Sequence, residues 1–200
     1  MSQPNTLILA SASPRRAELL RQIGLDFICQ PADVDETPRP DEANDLYVDR
    51  MALSKARAVF KAVSSEREAV LVLGSDTAGV LDHTGELLLK PLDAADATRM
   101  LQQLSGTVHT IYTSVAFVAA ESEHLVQVVS KVWFRTLRRE EIDHYVASGE
   151  PLDKAGAYGI QGAAAAFVKR IEGSYSAIVG LPLCEVSDYL TAKGLCAGRR

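Results

Sequence analysis

The segment LILASASPRRAELL, residues 7–20, decides how the chain is to be read. Its apolar start predicts a short buried strand. SAS follows as a small polar loop, and PRRAELL begins an amphipathic helix with Ser13 as N-cap and Pro14 at the first helical position. That helix presents Ala17, Leu20 and Ile23 on one side before Gly24 stops it. A strand entering a helix through a tight loop is the building unit of α/β sheets. Arg15 and Arg16 are electrostatically out of place there, because the positive end of the helix macrodipole favours a carboxylate. Two readings remain open. Ser11, Ser13, Arg15 and Arg16 form, with the free N–H groups of the first turn, a receptor for a multiply charged anion such as a polyphosphate; or the arginines pair with local acids such as Glu18 in a solvated turn.

Outward from this unit, the stretch DFICQPADVDETPRP (residues 26–40) reads as extended and irregular, interrupted by three prolines and carrying Asp33, Asp35 and Glu36. Helical spacing runs from about residue 44 to 63. VLVLGSDT (70–77) reads as a buried strand opening into a polar turn, and GELLLKP as a second strand pairing back on GVLD across the turn DHTG. Asp93 can cap a helix whose inner face holds Ala97, Met100, Leu101 and Leu104, closed by Gly106. TIYTSVAFVA and LVQVVSKVWFRTL are long strand-like runs, REEIDHYVASG a helix, GAYGIQG (156–162) a loop, AAAAFVKRIEG (163–173) a strand, and Pro182 opens a last helix through Leu190. The tail KGLCAGRR reads as frayed. Strands mixed with helices, some joined as hairpins and some across helices, indicate an α/β protein with a mixed sheet.

Two hundred residues suit one compact domain, or two lobes sharing one sheet, better than two independent domains. A formal charge of −5 gives no large electrostatic reason to bind nucleic acid or an anionic membrane, so any anion must be met by a local basic cluster. Cys29, Cys184 and Cys196 are odd in number, far apart and without metal-type spacing, which fits a reducing cytoplasm. MSQPNT lacks a signal region, and the run around IYTSVAFVAA is too short to span a bilayer.

Further polar residues stand where chemistry could lie. On a helical wheel Val48, Ala52, Ala56, Val59 and Val63 form one apolar arc, and Lys55 falls inside it; such a lysine either snorkels out or points into a polar cleft. Asp76 closes a buried strand and Thr77 follows, so this carboxylate either activates water or holds a metal, or merely caps a turn. With Asp35 and Glu36 it could supply the carboxylates that magnesium favours beside phosphate oxygens, or these acids line a solvated loop. Lys90 stands where an apolar strand meets a proline, in reach of a phosphate or as an exposed edge lysine. The glycines of GAYGIQG permit close backbone approach, and the Gln161 amide can both donate to and accept from a base edge. No P-loop or GxGxxG pattern occurs. His83, His109, His124 and His144 lack ligand spacing, and Trp133 and Phe134 read as core or wall.

Taken in order, LASASPRRAELL, VDE, ALSKA, GSDT, LKP, LSGTVHTIYTSVA, WFRTL, YVASGEPLDKAGAYGIQG and GSYSAIVGLPL resemble the Maf family, the septum-formation-inhibitor-like nucleoside triphosphate pyrophosphatases, from about residue 7 to 190. The resemblance implies an elongated mixed β-sheet flanked by helices, two lobes around a cleft, and a single domain. It implies hydrolysis of a nucleoside triphosphate to the monophosphate and pyrophosphate with a divalent cation, Mg or Mn. By position, Asp76 is then the catalytic proton acceptor. Arg15, Thr77 and Gln161 fall at substrate-selecting positions, Ser11, Arg16, Glu36, Lys55 and Lys90 at the remaining polar cleft positions, and Glu36 with Asp76 at the metal. GEPLDKAGAYGIQG with GSYSAIVGLPL is similar to the branch acting on dTTP and UTP rather than the one preferring 7-methyl-GTP. The family allows a homodimer. The competing reading is a nucleotide-binding regulator of septum formation in which hydrolysis is incidental; a phosphomonoesterase is a third.

Overall fold

The computed structural model describes residues 6–64 and 69–195. It is an α/β chain with a mixed sheet in the strand order β2-β1-β3-β5-β6-β7, with β4 pairing β3. The expected helix at the end runs to Ala192, and residues 196–200 of the tail read as frayed lie outside the described residues, as does Cys196. The chain divides into two compact units, and three long strands, β3 (Val70–Leu81), β5 (Val108–Ala119) and β6 (Ser122–Phe134), contribute to both. No helix among the described residues is long and apolar enough to cross a membrane.

The first unit takes the described residues of 1–77, 113–128 and 180–200. The apolar run predicted at residue 7 is β1 (Thr6–Leu9), followed by α1 (Pro14–Gln22). Parallel neighbours need crossovers, and the two present here are helical. α1 connects β1 to β2 (Ile28–Cys29), and α2 (Asn44–Val63) leads to β3, which pairs with β1 from Thr6↔Val70 to Leu9↔Leu73. The whole predicted arc of α2, Val48 to Val63, is buried, with Ala52, Ala56, Val59 and Val63 in one cluster with Ile8, Val70, Val72, Ala116 and Val118. α6 (Leu183–Ala192) closes this unit, with Pro182 at its N-cap.

The polar turn expected at GSDT is absent. β3 continues as one strand through Gly74, Ser75, Asp76 and Thr77 to Leu81. Gly74 is the reason α2 can lie so close: a Cβ there would fall 2.7 Å from the Ala56 nitrogen and closer still to the Ala52 carbonyl oxygen. The polar groups that suggested a break instead find partners while the backbone stays extended. Asp76 therefore lies inside the strand and not at its carboxyl end.

The second unit takes residues 78–112 and 129–179. β4 (Leu87–Leu88) pairs antiparallel with the end of β3, as the turn DHTG predicts, through Gly79↔Leu88 and Val80↔Leu87. In α3 (Ala94–Leu104) Asp93 accepts a hydrogen bond from the Asp96 N–H, and Ala97, Met100, Leu101 and Leu104 are buried. They pack with Leu81, Leu88, Ile111, Phe134 and, from α4 (Arg139–Ala147), Ile142 and Tyr145. The strand expected over residues 163–173 is half right. Ala163–Phe167 forms a 3-10 helix and only Val168–Glu172 is β7, because consecutive alanines lack the β-branched surface that a strand requires. A short helix, α5 (Tyr175–Val179), escapes the periodicity reading by its brevity.

His109 lies fully buried in this second core, its Nε2 2.7 Å from the Tyr158 hydroxyl and its ring edge-on to Phe134 and Tyr158. Nδ1 is buried without a partner among the described residues. Burial disfavours the imidazolium and pulls its pKa down to about 4.

Gly74→Ala should lower the unfolding free energy by about 1–3 kcal/mol or more, read as a reduced urea midpoint, because the added methyl meets backbone rather than a movable side chain. A second expectation concerns pH. Below the unfolded pKa near 6.5 the unfolded chain binds a proton at His109 that the folded chain refuses until about pH 4. The native state should therefore lose about 3 kcal/mol from this residue as pH falls through that window. Urea titrations from pH 7 to 4 should show that slope in the wild type and not in His109→Gln.

Candidate active site

In the first unit, residues from five separate segments meet around the middle of β3. Adjacent residues of an extended strand point to opposite faces. Asp76 faces α2, where the Lys55 ammonium donates to its Oδ1 at 2.6 Å. The same ammonium lies 2.8 Å from Oε1 of Glu36. Lys55 and Asp76 are both 8% exposed, so the lysine in the apolar arc does not snorkel out but points into a polar cluster of two carboxylates. Glu36 differs: its side chain is 59% exposed.

On the other side of the strand, Ser75 and Thr77 meet the segment at Gly180. The Ser75 hydroxyl donates to the Gly180 carbonyl oxygen at 3.0 Å, and Thr113 Oγ1 donates to Thr77 Oγ1 at 3.2 Å. Arg16 joins this group. Its Nε donates to the Gly180 carbonyl oxygen (2.9 Å), Nη1 to Ser11 Oγ (3.3 Å) and Nη2 to Thr77 Oγ1 (3.3 Å). Gly180 has φ +136, a backbone conformation that favours glycine.

The two readings of the arginines separate at Arg16. It does not pair with Glu18, and it forms no ion pair with any carboxylate among the described residues. Three neutral oxygens fix the guanidinium. Burial lowers its pKa, and the Asp76 carboxylate is the largest influence raising it. Arg15, half-buried in the first turn of α1, makes no hydrogen bond or ion pair among the described residues. Ser13 is the N-cap, but its hydroxyl makes no capping bond; its N–H instead donates to Ser11 Oγ at 3.1 Å, and Ser11 is buried. The first-turn N–H groups of α1 are thus without a side-chain cap.

Of the acids on the irregular segment, Asp35 Oδ1 accepts from the Thr37 N–H at 2.9 Å, and hydrogen bonding by the Thr37 side chain and then its backbone draws the carboxyl pKa down, while Asp33 is simply exposed. The structure thus brings together Ser11, Arg16, Glu36, Lys55, Asp76 and Thr77. Lys90, exposed just after β4, and Gln161, exposed in the 156–162 loop, belong to the second unit. Tyr47, Arg50, Ser75, Thr113 and Gly180 support the cluster without standing out in the sequence. Their bonds run largely to backbone carbonyls or to distant hydroxyls, and neither leaves a mark in local pattern. Among the described residues no group of three or more His, Cys, Asp or Glu side chains is arranged to hold a metal by itself.

A family model described as Maf-like protein matches residues 6–193. A protein of Hahella chejuensis named dTTP/UTP pyrophosphatase is 52% identical over 189 residues, spanning 94% of this chain and 92% of its own. Proteins of the same name from Vibrio vulnificus (50% identity, 92% and 96% of the two chains) and a Geobacter species (49%, 95% and 96%) are also similar. A solved nucleoside-triphosphatase / dITP/XTP pyrophosphatase from Mycobacterium abscessus is a distant likeness, with a TM-score of 0.41 at 20% identity, covering 64% of this chain and 74% of that one.

The buried and exposed halves of the Lys55 cluster should respond differently to substitution. Lys55→Met leaves the buried Asp76 carboxylate uncompensated and should cost about 3–5 kcal/mol. Glu36→Gln, at an exposed carboxylate, should cost no more than about 1 kcal/mol. Urea unfolding of the two variants beside the wild type measures both.

Proposed function

Because the chain belongs to the Maf family, we propose that it is a nucleoside triphosphate pyrophosphatase acting on dTTP and UTP, releasing the monophosphate and pyrophosphate. One observation carries this reading to the residues. A half-buried guanidinium held only by neutral oxygens lies beside the strand on whose other side Asp76 and, from the irregular segment, Glu36 gather on one ammonium. A positive group without a counter-charge favours an anion, and clustered carboxylates favour a cation. A metal-bound chain of phosphates carries both.

Roles then follow from chemistry and position. Arg16 meets phosphate oxygens without first having to leave a carboxylate, and Arg15 and the uncapped N–H groups of the first turn of α1 add to that field. Lys55 fixes the orientation of Asp76 and adds positive charge. Asp76 takes a proton from water as its oxygen forms a bond to the α-phosphorus. The bond from that phosphorus to the bridging oxygen breaks, and pyrophosphate leaves with the electron pair, its charge taken up by the arginines and Lys55. Thr77 and Arg15 select the substrate.

A divalent cation, Mg or Mn, fits the residues present. Glu36 and Asp76 already converge on one positive centre, and a set of two carboxylates completed by substrate oxygens is what magnesium accepts. These two side chains would hold it, and when bound it would polarise the phosphoryl oxygens. The exposed thiols of Cys29 and Cys184 suit a reducing compartment, and we assign the activity to the cytoplasm.

Incubation of the purified protein with dTTP, UTP and purine triphosphates in the presence of Mg2+ should yield pyrophosphate and pyrimidine monophosphate in equal amounts. Inorganic phosphate as the first product would overturn the assignment. Asp76→Asn should lower kcat by about 10²–10⁴-fold while nucleotide still binds in equilibrium dialysis.

A further inference from the structure

Glu36 is a physically difficult choice for a metal-holding residue. Its side chain is mostly exposed, and it stands on a segment without regular structure, between Cys29 and the start of α2. An exposed ion pair to Lys55 contributes little and does not by itself hold a side chain in one place. What fixes this carboxylate must therefore act on its backbone.

Two side chains of α2 do so at consecutive peptide groups. The Tyr47 hydroxyl donates to the carbonyl oxygen of Glu36 at 3.0 Å, and Arg50 Nη2 donates to the carbonyl oxygen of Thr37 at 3.1 Å. Both anchors are themselves held. Tyr47 is 5% exposed, with the Arg50 guanidinium 5.5 Å from its ring centroid. Arg50 grips Glu42 in a two-pronged bond, Nε to Oε1 at 2.5 Å and Nη2 to Oε2 at 2.6 Å, and Glu42 in turn accepts from the Arg39 N–H. Burial, with the carboxylates of Asp76 and Glu36, pushes the Tyr47 phenol up to about 12, so its hydroxyl remains a donor. The bond to Arg50 draws Glu42 down to about 2, so this pair stays charged. Tyr47 and Lys55 are eight residues apart, on one face of α2. One helix thus holds the backbone of Glu36 with one residue and pairs with its carboxylate through another.

We propose that Tyr47 and Arg50 are positioning residues for Glu36, fixing the reach of its carboxylate so that it serves the cation of the nucleotide complex jointly with Asp76. This rests on Glu36 being a metal-holding residue of the pyrophosphatase. Neither side chain touches the reacting atoms; both act through the Glu36–Thr37 backbone. The strap explains why an irregular, proline-interrupted segment can supply one half of a two-carboxylate site: the entropy of ordering the loop is met by hydrogen bonds made before any ligand arrives.

The test is Mn2+ binding to the protein saturated with the non-hydrolysable α,β-methylene analogue of dTTP, followed by the electron paramagnetic resonance signal of free Mn2+, for the wild type, Glu36→Gln, Tyr47→Phe and the double variant. Tyr47→Phe should weaken Mn2+ binding about tenfold, as loss of an outer-shell partner does. In turnover of dTTP it should raise the Mn2+ concentration needed for half-maximal rate while kcat at saturating Mn2+ stays close to the wild type. In the Glu36→Gln background the same change should have no further effect. If Glu36→Gln weakens Mn2+ binding and Tyr47→Phe does not, this inference fails and the reading of Glu36 stands. An additive effect in the double variant would equally overturn it, since Tyr47 would then act by another route. If Glu36→Gln itself leaves Mn2+ binding unchanged, the metal-holding role falls, and this inference with it. Should Tyr47→Phe fold poorly, Arg50→Lys, which keeps the charge against Glu42 but gives up the fork, is held to the same outcomes.

Discussion

An ammonium group buried on the inner face of a helix is the constraint on which the rest of the first unit turns. Lys55 occupies a position in the apolar arc of α2, and its charge is tolerable there only because Asp76 and Glu36 come to it. That requirement propagates outward. The strand carrying Asp76 must pass close beneath the helix, so residue 74 must be a glycine; and the segment carrying Glu36 must turn back along α2, so Tyr47 and Arg50 hold its backbone. The buried ion pair is a poor source of net stability and a good source of specificity, because any other register of β3 against α2 would leave one of the charges unpaired.

Much of this is legible from the order of residues. The helical period of 44–63 locates both the arc and the anomaly within it, and the strand-loop-helix unit at residue 7 appears with Ser13 and Pro14 where capping preferences place them. Hairpin chemistry at DHTG and the Asp93 cap are equally local. The failures share a cause. GSDT looks like a turn because glycine, serine and aspartate in sequence favour one, and it remains a strand because its polar atoms are satisfied from afar: Ser75 by a carbonyl 105 residues away, Asp76 by a lysine 21 residues back. The four alanines of 163–166 continue a strand pattern only in hydrophobicity, not in the side-chain shape that a pleated surface selects.

The supporting residues are illegible for a related reason. A tyrosine on a helix face reads as core, and Tyr47 is core; what matters is that its hydroxyl ends on a backbone carbonyl, and every residue has one of those. Arg16 is visible as an oddity of the helix dipole, but the pattern does not say whether its partner is an acid or a set of neutral oxygens. That distinction decides its chemistry. Paired with Glu18, it would be an ordinary surface arginine with its field cancelled.

Strand alternation completes the arrangement. Because Asp76 and Thr77 leave β3 in opposite directions, the carboxylates are collected on the α2 side and Arg16 is tethered on the other, so neither neutralises the other by direct contact. Had Arg16 been placed on the α2 face, it would have joined Lys55 in compensating the two carboxylates and the cluster would have been electrostatically closed. Kept apart by one strand, the two faces retain charges of opposite sign, with Asp76 still near enough to favour the arginine's charged form against its burial. A ligand of a single sign could satisfy only one of them. The strand that looked like a turn is therefore the element that sets the two charges on opposite sides.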